Sequence, residues 1–238
     1  MLRSIIEVLY PRSCLGCGSG TWPFCPGCAS RLTTFKDPRC RRCGLPSPTP
    51  VARCPACPPE PIATARAPFL FDGPARAAIL RLKFGGERAV ARALGRAAAA
   101  VVAREADDVT WVPLSSARRR SRGFDQAELL ARSVARELGL PCRRLLTRQV
   151  DLAPQARRTG PERRTALAGV FASTGTPARR VLLVDDVMTT GSTAAECSRT
   201  LLGAGALEVD VVTAARTRLL SSNRLQPGSV VARGTSPR

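Results

Sequence analysis

Eight of the chain's ten cysteines fall before residue 58, and all eight come as pairs with a two-residue spacer: Cys14/Cys17, Cys25/Cys28, Cys40/Cys43 and Cys54/Cys57. Such a spacer curls the backbone into a tight turn that aims both sulfurs at one tetrahedral ion, and two such turns complete a four-cysteine zinc knuckle. Gly16, Gly18, Gly27 and Gly44 permit the tight backbone this requires. Disulfides are the alternative, but they need an oxidising compartment. Met1 to Tyr10 is too short and too interrupted for a secretory h-region. A redox C-x-x-C fits less well, because four copies in a Pro-rich segment are not one motif beside a βαβ unit. Sequence order pairs Cys14, Cys17, Cys25 and Cys28 on one ion and Cys40, Cys43, Cys54 and Cys57 on a second; crossed pairing is the other option. With few large apolar side chains in this segment, metal replaces a core, so the zinc is structural, and four protein ligands leave no position for hydrolytic chemistry.

Pro58, Pro59 and Pro61 mark a boundary, since consecutive prolines join neither a helix nor a central strand. The expected organisation is a double zinc ribbon with all-cysteine ligands over 1–60, an α/β domain over 61–218 and a disordered tail over 219–238. Within the body, helical periodicity runs from Ala75 to Leu82, from Glu87 to Ala106 around a Gly85-Gly86 turn, and from Gln126 to Leu138, stopped by Gly139. Thr110 to Leu114 predicts a strand, followed by a polar basic loop, and Arg143 to Thr147 a further strand. Pro154 to Pro161 predicts a mobile loop. Val181 to Val184 predicts a strand covered on both faces, Thr193 to Leu202 a helix and Glu208 to Ala214 another strand, in a parallel βαβ arrangement. Cys142 and Cys197 read as core residues.

The chain has no histidine, which removes histidine as base or ligand, and its formal charge is +19. Of 37 basic residues only Lys36 and Lys83 are lysines, leaving 35 arginines. Binding two zinc ions through eight thiolates lowers the charge only to +15. Such an excess favours polyanions: nucleic acid, phosphorylated metabolites or anionic surfaces. No stretch approaches the roughly 18 apolar residues of a membrane helix, so the expected location is the cytoplasm, without membrane insertion. A homo-oligomer is compatible with the sequence.

Val181 to Thr193 is the most informative stretch. A buried strand ends at Asp185 and Asp186, placing acceptors at the carboxyl edge of the sheet, where open α/β folds bind ligands. Thr189, Thr190, Gly191, Ser192 and Thr193 then offer hydroxyls and backbone amides where a helix begins, a setting that favours phosphate. Acids for sugar hydroxyls beside a phosphate cradle describe a ribose 5-phosphate pocket. No lysine follows the glycine, so this is not a Walker A loop. A receiver-type acidic pair would come early in its domain and lack the cradle.

The segment closely resembles the phosphoribosyl diphosphate (PRPP) motif of type I phosphoribosyltransferases. The resemblance extends to the competence-associated ComF family through Leu82-Lys83-Phe84-Gly85, Val112-Pro113-Leu114, Arg122-Gly123-Phe124-Asp125-Gln126 and the stretch from Gln155 to Gly169-Val170-Phe171. It implies a type I phosphoribosyltransferase fold, a parallel sheet with helices on both faces. It further implies that catalytic Asp185 and Asp186 hold the ribose hydroxyls, that Thr189 to Thr193 hold the 5-phosphate, and that Ser115, Ser116 and Arg118 lie at the diphosphate. Mg²⁺ is expected to accompany PRPP, with Arg118, Arg157 or Arg158 closing over the leaving group. Asp125 and Ala166 each stand where the family has Asn. The resemblance also carries a second reading, a DNA uptake protein that binds single-stranded nucleic acid with a regulatory or vestigial pocket, and a third, a PRPP-sensing regulator.

Overall fold

The computed structural model describes residues 13–85, 88–149 and 169–217. The loop with Arg157 and Arg158, Ala166, Gly86 and the tail lie outside the described residues. After a four-residue helical turn, α1 (Pro26–Ala29), come β1 (Ala65–Arg66), β2 (Phe69–Leu70), α2 (Gly73–Gly85), α3 (Arg88–Ala99) and β3 (Asp108–Trp111). These are followed by α4 (Ser116–Arg122), α5 (Gln126–Leu138), β4 (Leu146–Arg148), β5 (Phe171–Ser173), β6 (Arg180–Met188), α6 (Ser192–Gly203) and β7 (Glu208–Arg216).

The main sheet is parallel in every pairing. β6 lies between β3 and β7, and both short strands β1 and β2 pair with the far side of β7. β4 and β5 form a separate antiparallel pair. Alternation along β6 assigns its two faces: Leu182 and Val184 enter one core with residues of α2, α3 and α5. Val181 and Leu183 enter the other, with α6 and the β4–β5 pair. A strand buried on both faces must be apolar at every position, which is why 181–184 contains no polar residue. Burying a side chain such as Leu182 or Leu183 stabilises by about 1.5–3 kcal/mol.

The strands β3, β6 and β7 and the four main helices fall near their expected positions, and α5 has the expected ends. The second helix stops at Ala99 rather than Ala106, because the chain turns to bring Asp107 to β6, where its N–H donates to the Arg180 carbonyl at 2.8 Å. The basic loop after β3 contains α4, capped by Ser115 Oγ, which accepts from Arg118 N. Arginines are good helix formers, but four of them on seven residues leave no apolar stripe for periodicity to detect. The strand expected at 143–147 is displaced to β4, while Cys142 makes an isolated bridge to Val109. Cys142 is half-buried, and burial pushes its thiol up to about 11; Cys197 is fully buried in the second core. Among the described residues no helix is long and apolar enough to cross a membrane.

Candidate functional site

The eight paired cysteines gather into two groups, Cys14, Cys17, Cys25 and Cys28 in one and Cys40, Cys43, Cys54 and Cys57 in the other, with all ligand atoms of a group within 4.8 Å of one another. Uncrossed pairing is therefore the observed one. Sulfur separations of 3.8 Å for Cys17 to Cys25, 3.5 Å for Cys40 to Cys57 and for Cys43 to Cys54, and 3.9 Å for Cys54 to Cys57 are far too long for disulfides. They match a tetrahedron with metal–sulfur bonds of about 2.3 Å, whose edges are about 3.8 Å. The thiols are also unequal in the way a metal corrects. Burial opposes ionisation of Cys14, but N–H groups of Cys25, Cys17 and Gly16 outweigh it and bring the thiol down to about 6. Burial pushes Cys28 up to about 11, and drives Cys43 upward as well. Four crowded sulfurs ionise together only around a cation, so both groups fit structural zinc.

The two knuckles sit in different places. The first packs on α2: Arg81 Nη1 donates to the Cys14 carbonyl at 2.8 Å, Leu15 is buried in the first core, and Phe24 meets Phe69 edge-on at 6.4 Å. The second lies over the carboxyl ends of β7 and β1. Arg216 there donates to the carbonyls of Cys43 and Ala56, and Arg66 to those of Arg41 and Arg42.

At the same sheet edge β6 delivers its acids. The strand's pleat sends adjacent residues to opposite faces, and this separates the two carboxylates. Asp186 turns toward α2 and α5, only 6 % exposed. Its Oδ1 lies 3.1 Å from Lys83 Nζ, and its Oδ2 accepts from Gln126 Nε2 at 2.8 Å. Gln126 in turn accepts from Arg122 Nη1 at 2.9 Å, and the Arg122 guanidinium lies 5.2 Å from the ring centre of Phe84. Asp185 is half-buried and accepts the Asp186 N–H at 2.7 Å. Burial first, and the Asp186 charge next, raise its pKa well above the usual aspartate range.

The turn after β6 is partly open. Thr189 is exposed, Thr190 and Thr193 are half-buried, and Gly191 and Ser192 are buried. Thr190 Oγ1 lies 3.0 Å from Ser192 Oγ and accepts the Ser192 N–H at 3.4 Å. Gly191 has φ 81°, a left-handed conformation that favours glycine. An added Cβ there would lie 2.7 Å from Pro58 Cβ, so the residue after Cys57 rests on the turn. Ser115, half-buried, and the exposed Ser116 and Arg118 follow β3, whose pairing with β6 brings both loops to one edge. A surface recess of about 530 Å³ lined by Asp107, Arg179, Arg180, Leu207 and Glu208 lies at the opposite, amino-terminal edge.

Asp125 has a physical reason to replace Asn. Its Oδ1 caps α5 by accepting from Ala127 N at 3.0 Å and Glu128 N at 3.3 Å, while Oδ2 accepts from Leu114 N at 3.1 Å. An asparagine has one oxygen for these two tasks. Sequence reasoning did not foresee Lys83 and Gln126 as partners of Asp186; their place in the quoted motifs was the available signal. The apposition of Pro58 and Gly191 had no sequence signal.

The chain is similar to several known proteins. Residues 5–58 match the double zinc ribbon domain family. The chain is 33 % identical over 212 residues to the DNA utilization protein YhgH of Escherichia coli K12, covering 83 % of this chain and 92 % of that one. It is 32 % identical over 208 residues to YhgH of Salmonella typhimurium, covering 82 % and 91 %. Competence protein F of Haemophilus influenzae is 30 % identical over 208 residues, covering 81 % and 90 %. Among solved structures, glutamine PRPP amidotransferase from B. subtilis aligns over 56 % of this chain and 30 % of its own, at 22 % identity and TM-score 0.40. Orotate phosphoribosyltransferase from Aeropyrum pernix aligns over 59 % and 76 %, at 17 % identity and TM-score 0.33.

Proposed function

The chain belongs to the ComF family of competence-associated, phosphoribosyltransferase-like proteins, and we propose that it binds PRPP at the turn between β6 and α6 and transfers the phosphoribosyl group with release of diphosphate. One observation carries this reading: Lys83, Gln126 and Asp186, from three separate motifs, meet at the sheet edge where the Thr189–Thr193 turn begins. Carboxylates beside an anion cradle suit a molecule that is hydroxyl on one side and phosphate on the other.

The reaction displaces diphosphate from C1 of the ribose by a nitrogen nucleophile through an oxocarbenium-like transition state. Asp185 and Asp186 accept from the ribose hydroxyls and face the charge that develops on the ring. Hydroxyls and amides of Thr189, Thr190, Gly191, Ser192 and Thr193 hold the 5-phosphate. Ser115, Ser116 and Arg118 hold the diphosphate. Lys83 and Gln126 fix Asp186 in one orientation, which lowers the cost of ordering it around the sugar. Magnesium is not a resident of this site: with Lys83 on Asp186, the protein offers no cage of free hard oxygens. It enters as the counter-ion of PRPP.

Isothermal titration with PRPP and Mg²⁺ tests binding. Asp185→Asn with Asp186→Asn abolishes it while the protein stays folded by circular dichroism; unchanged affinity defeats the assignment. Incubation with PRPP and a panel of bases, amines and oligonucleotides, scored for diphosphate, tests turnover and identifies the acceptor; binding without diphosphate release from any of them leaves a PRPP sensor.

A specific observation favours a second reading, in which the chain handles single-stranded nucleic acid. Phe84 is 74 % exposed with Arg122 against its ring, and Arg118, Arg119 and Arg120 are exposed on α4 nearby in the chain. An aromatic face beside a row of cations is what bases and phosphates need. The names of the relatives point the same way. Binding that falls steeply with salt, shows no base preference and weakens in Phe84→Ala supports it.

A further inference from the structure

Between Cys57 and β1 the chain leaves the carboxyl edge of the sheet and runs to the start of β7, where Ala63 N donates to the Val209 carbonyl at 2.9 Å, and arginines fix that run through backbone carbonyls. Arg42 Nη1 donates to the Pro58 carbonyl at 2.8 Å and Nη2 to that of Ile62 at 2.7 Å. Arg216, the last residue of β7 and 2 % exposed, donates from Nη1 to the Cys43 carbonyl at 3.1 Å and from Nη2 to that of Ala56 at 2.7 Å. Arg199 of α6 reaches the Glu60 carbonyl at 3.1 Å. Hydrogen bonds from a guanidinium to a carbonyl are charge-assisted, and Arg216 makes its pair away from water, where they are strongest. α6, which follows the 189–193 turn, and the end of β7, which pairs with the end of β6 before that turn, thus hold the end of the second knuckle.

What the knuckle is held against is Gly191. An added Cβ would meet Pro58 Cβ at 2.7 Å, Pro59 Cδ at 3.5 Å and Met188 Sδ at 3.6 Å. Pro58 directly follows a cluster ligand, so its ring has little freedom while Cys57 is held. The first knuckle is tied to α2 instead, through Arg81.

We propose that the second cysteine cluster is a wall of the ligand site: it seats Pro58 on Gly191 and thereby fixes the anion turn, with Arg216 as the positioning residue. The inference rests on the reading of that turn as the seat of the 5-phosphate. When the cluster loses its hold, the chain at Pro58 drifts from Gly191 and the turn samples open forms. Ligand affinity then falls in proportion to the closed fraction.

The test uses the full-length zinc-loaded protein and four variants: Arg216→Lys, which keeps the charge but loses the fork; Pro58→Gly, which removes the ring; Cys54→Ser with Cys57→Ser; and Arg81→Lys as control. Zinc content, amide hydrogen exchange across 189–195 and PRPP titration are measured on each. In the first three, the turn loses protection and PRPP binds about tenfold more weakly, as a closed fraction of about one in ten requires. Arg81→Lys leaves both unchanged. Unaltered protection in Pro58→Gly and Arg216→Lys, with both zinc ions retained, overturns the proposal, as does an equal effect of Arg81→Lys. Should the double cysteine variant unfold, those two variants decide the matter. If the wild type takes up no PRPP, the phosphate reading falls and the proposed ligand wall falls with it, while exchange across 189–195 still reports whether the cluster fixes the turn.

Discussion

Replacing Gly191 by alanine attacks the 189–193 turn at its most constrained atom. Two costs add. A residue with a β-carbon at φ 81° pays the left-handed penalty of about 1–2 kcal/mol. The new methyl also lies 2.7 Å from Pro58 Cβ, an atom of a closed ring that cannot swing aside. Relieving an overpacked contact of this kind costs about 1–3 kcal/mol. Together the substitution destabilises the native state by about 2–5 kcal/mol. At a urea dependence of about 2 kcal/mol per molar, the unfolding midpoint drops by about 1–2.5 M. The assay is urea denaturation followed by far-UV circular dichroism, with zinc present, alongside PRPP titration. Gly203→Ala serves as control, because an added Cβ at Gly203 meets nothing within 4 Å and its φ is not positive. That change is neutral or slightly stabilising. A Gly191→Ala midpoint equal to wild type refutes the apposition of knuckle and turn, and unchanged PRPP affinity in a destabilised Gly191→Ala protein separates that contact from ligand binding.

Three more outcomes are expected. Metal analysis gives two zinc ions per chain, and a strong chelator removes them with loss of the knuckle structure, read as all eight thiols becoming reactive; one ion, or none, contradicts the two clusters. Burial raises the pKa of Asp125 above its usual value, against the N–H groups of Leu114, Glu128 and Ala127 that oppose the shift. A folded carboxyl with raised pKa holds its proton when the unfolded one has lost it, so its contribution to stability declines as pH rises from the ordinary aspartate range to the raised value. Asp125→Asn cannot titrate, so the stability of wild type relative to the variant falls across that window; a pH-independent difference refutes the burial argument. Gly95→Ala places a Cβ 2.4 Å from Ser133 Cβ, between α3 and α5, and lowers stability by about 1–3 kcal/mol; thermal unfolding at wild-type temperature would contradict the close helix contact.

The site was legible unevenly. Four identical spacers announced the cysteine knuckles, and the branched run 181–184 ending in two acids announced the central strand and its loop. The ends of α3, the helix α4 and the two-residue strands β1 and β2 were not readable. Each depends on where a neighbouring strand accepts hydrogen bonds, or on a helix without an apolar face. The acids illustrate the boundary well. Their adjacency is in the sequence, but the pleat of β6 sends Asp186 to Lys83 and Gln126 and keeps Asp185 apart from them.

Local chemistry was thus settled by the chain alone: that eight paired cysteines suit metal, and which stretch carries acids followed by hydroxyls and a glycine; which four sulfurs gather in one cluster was decided by the fold. Tertiary structure decided what those pieces touch. Pro58 meets Gly191, and Arg216 meets Cys43, across separations of more than a hundred residues. Contacts of that kind are fixed by how a sheet edge and a zinc knuckle pack in space, and short-range spacing carries no record of them.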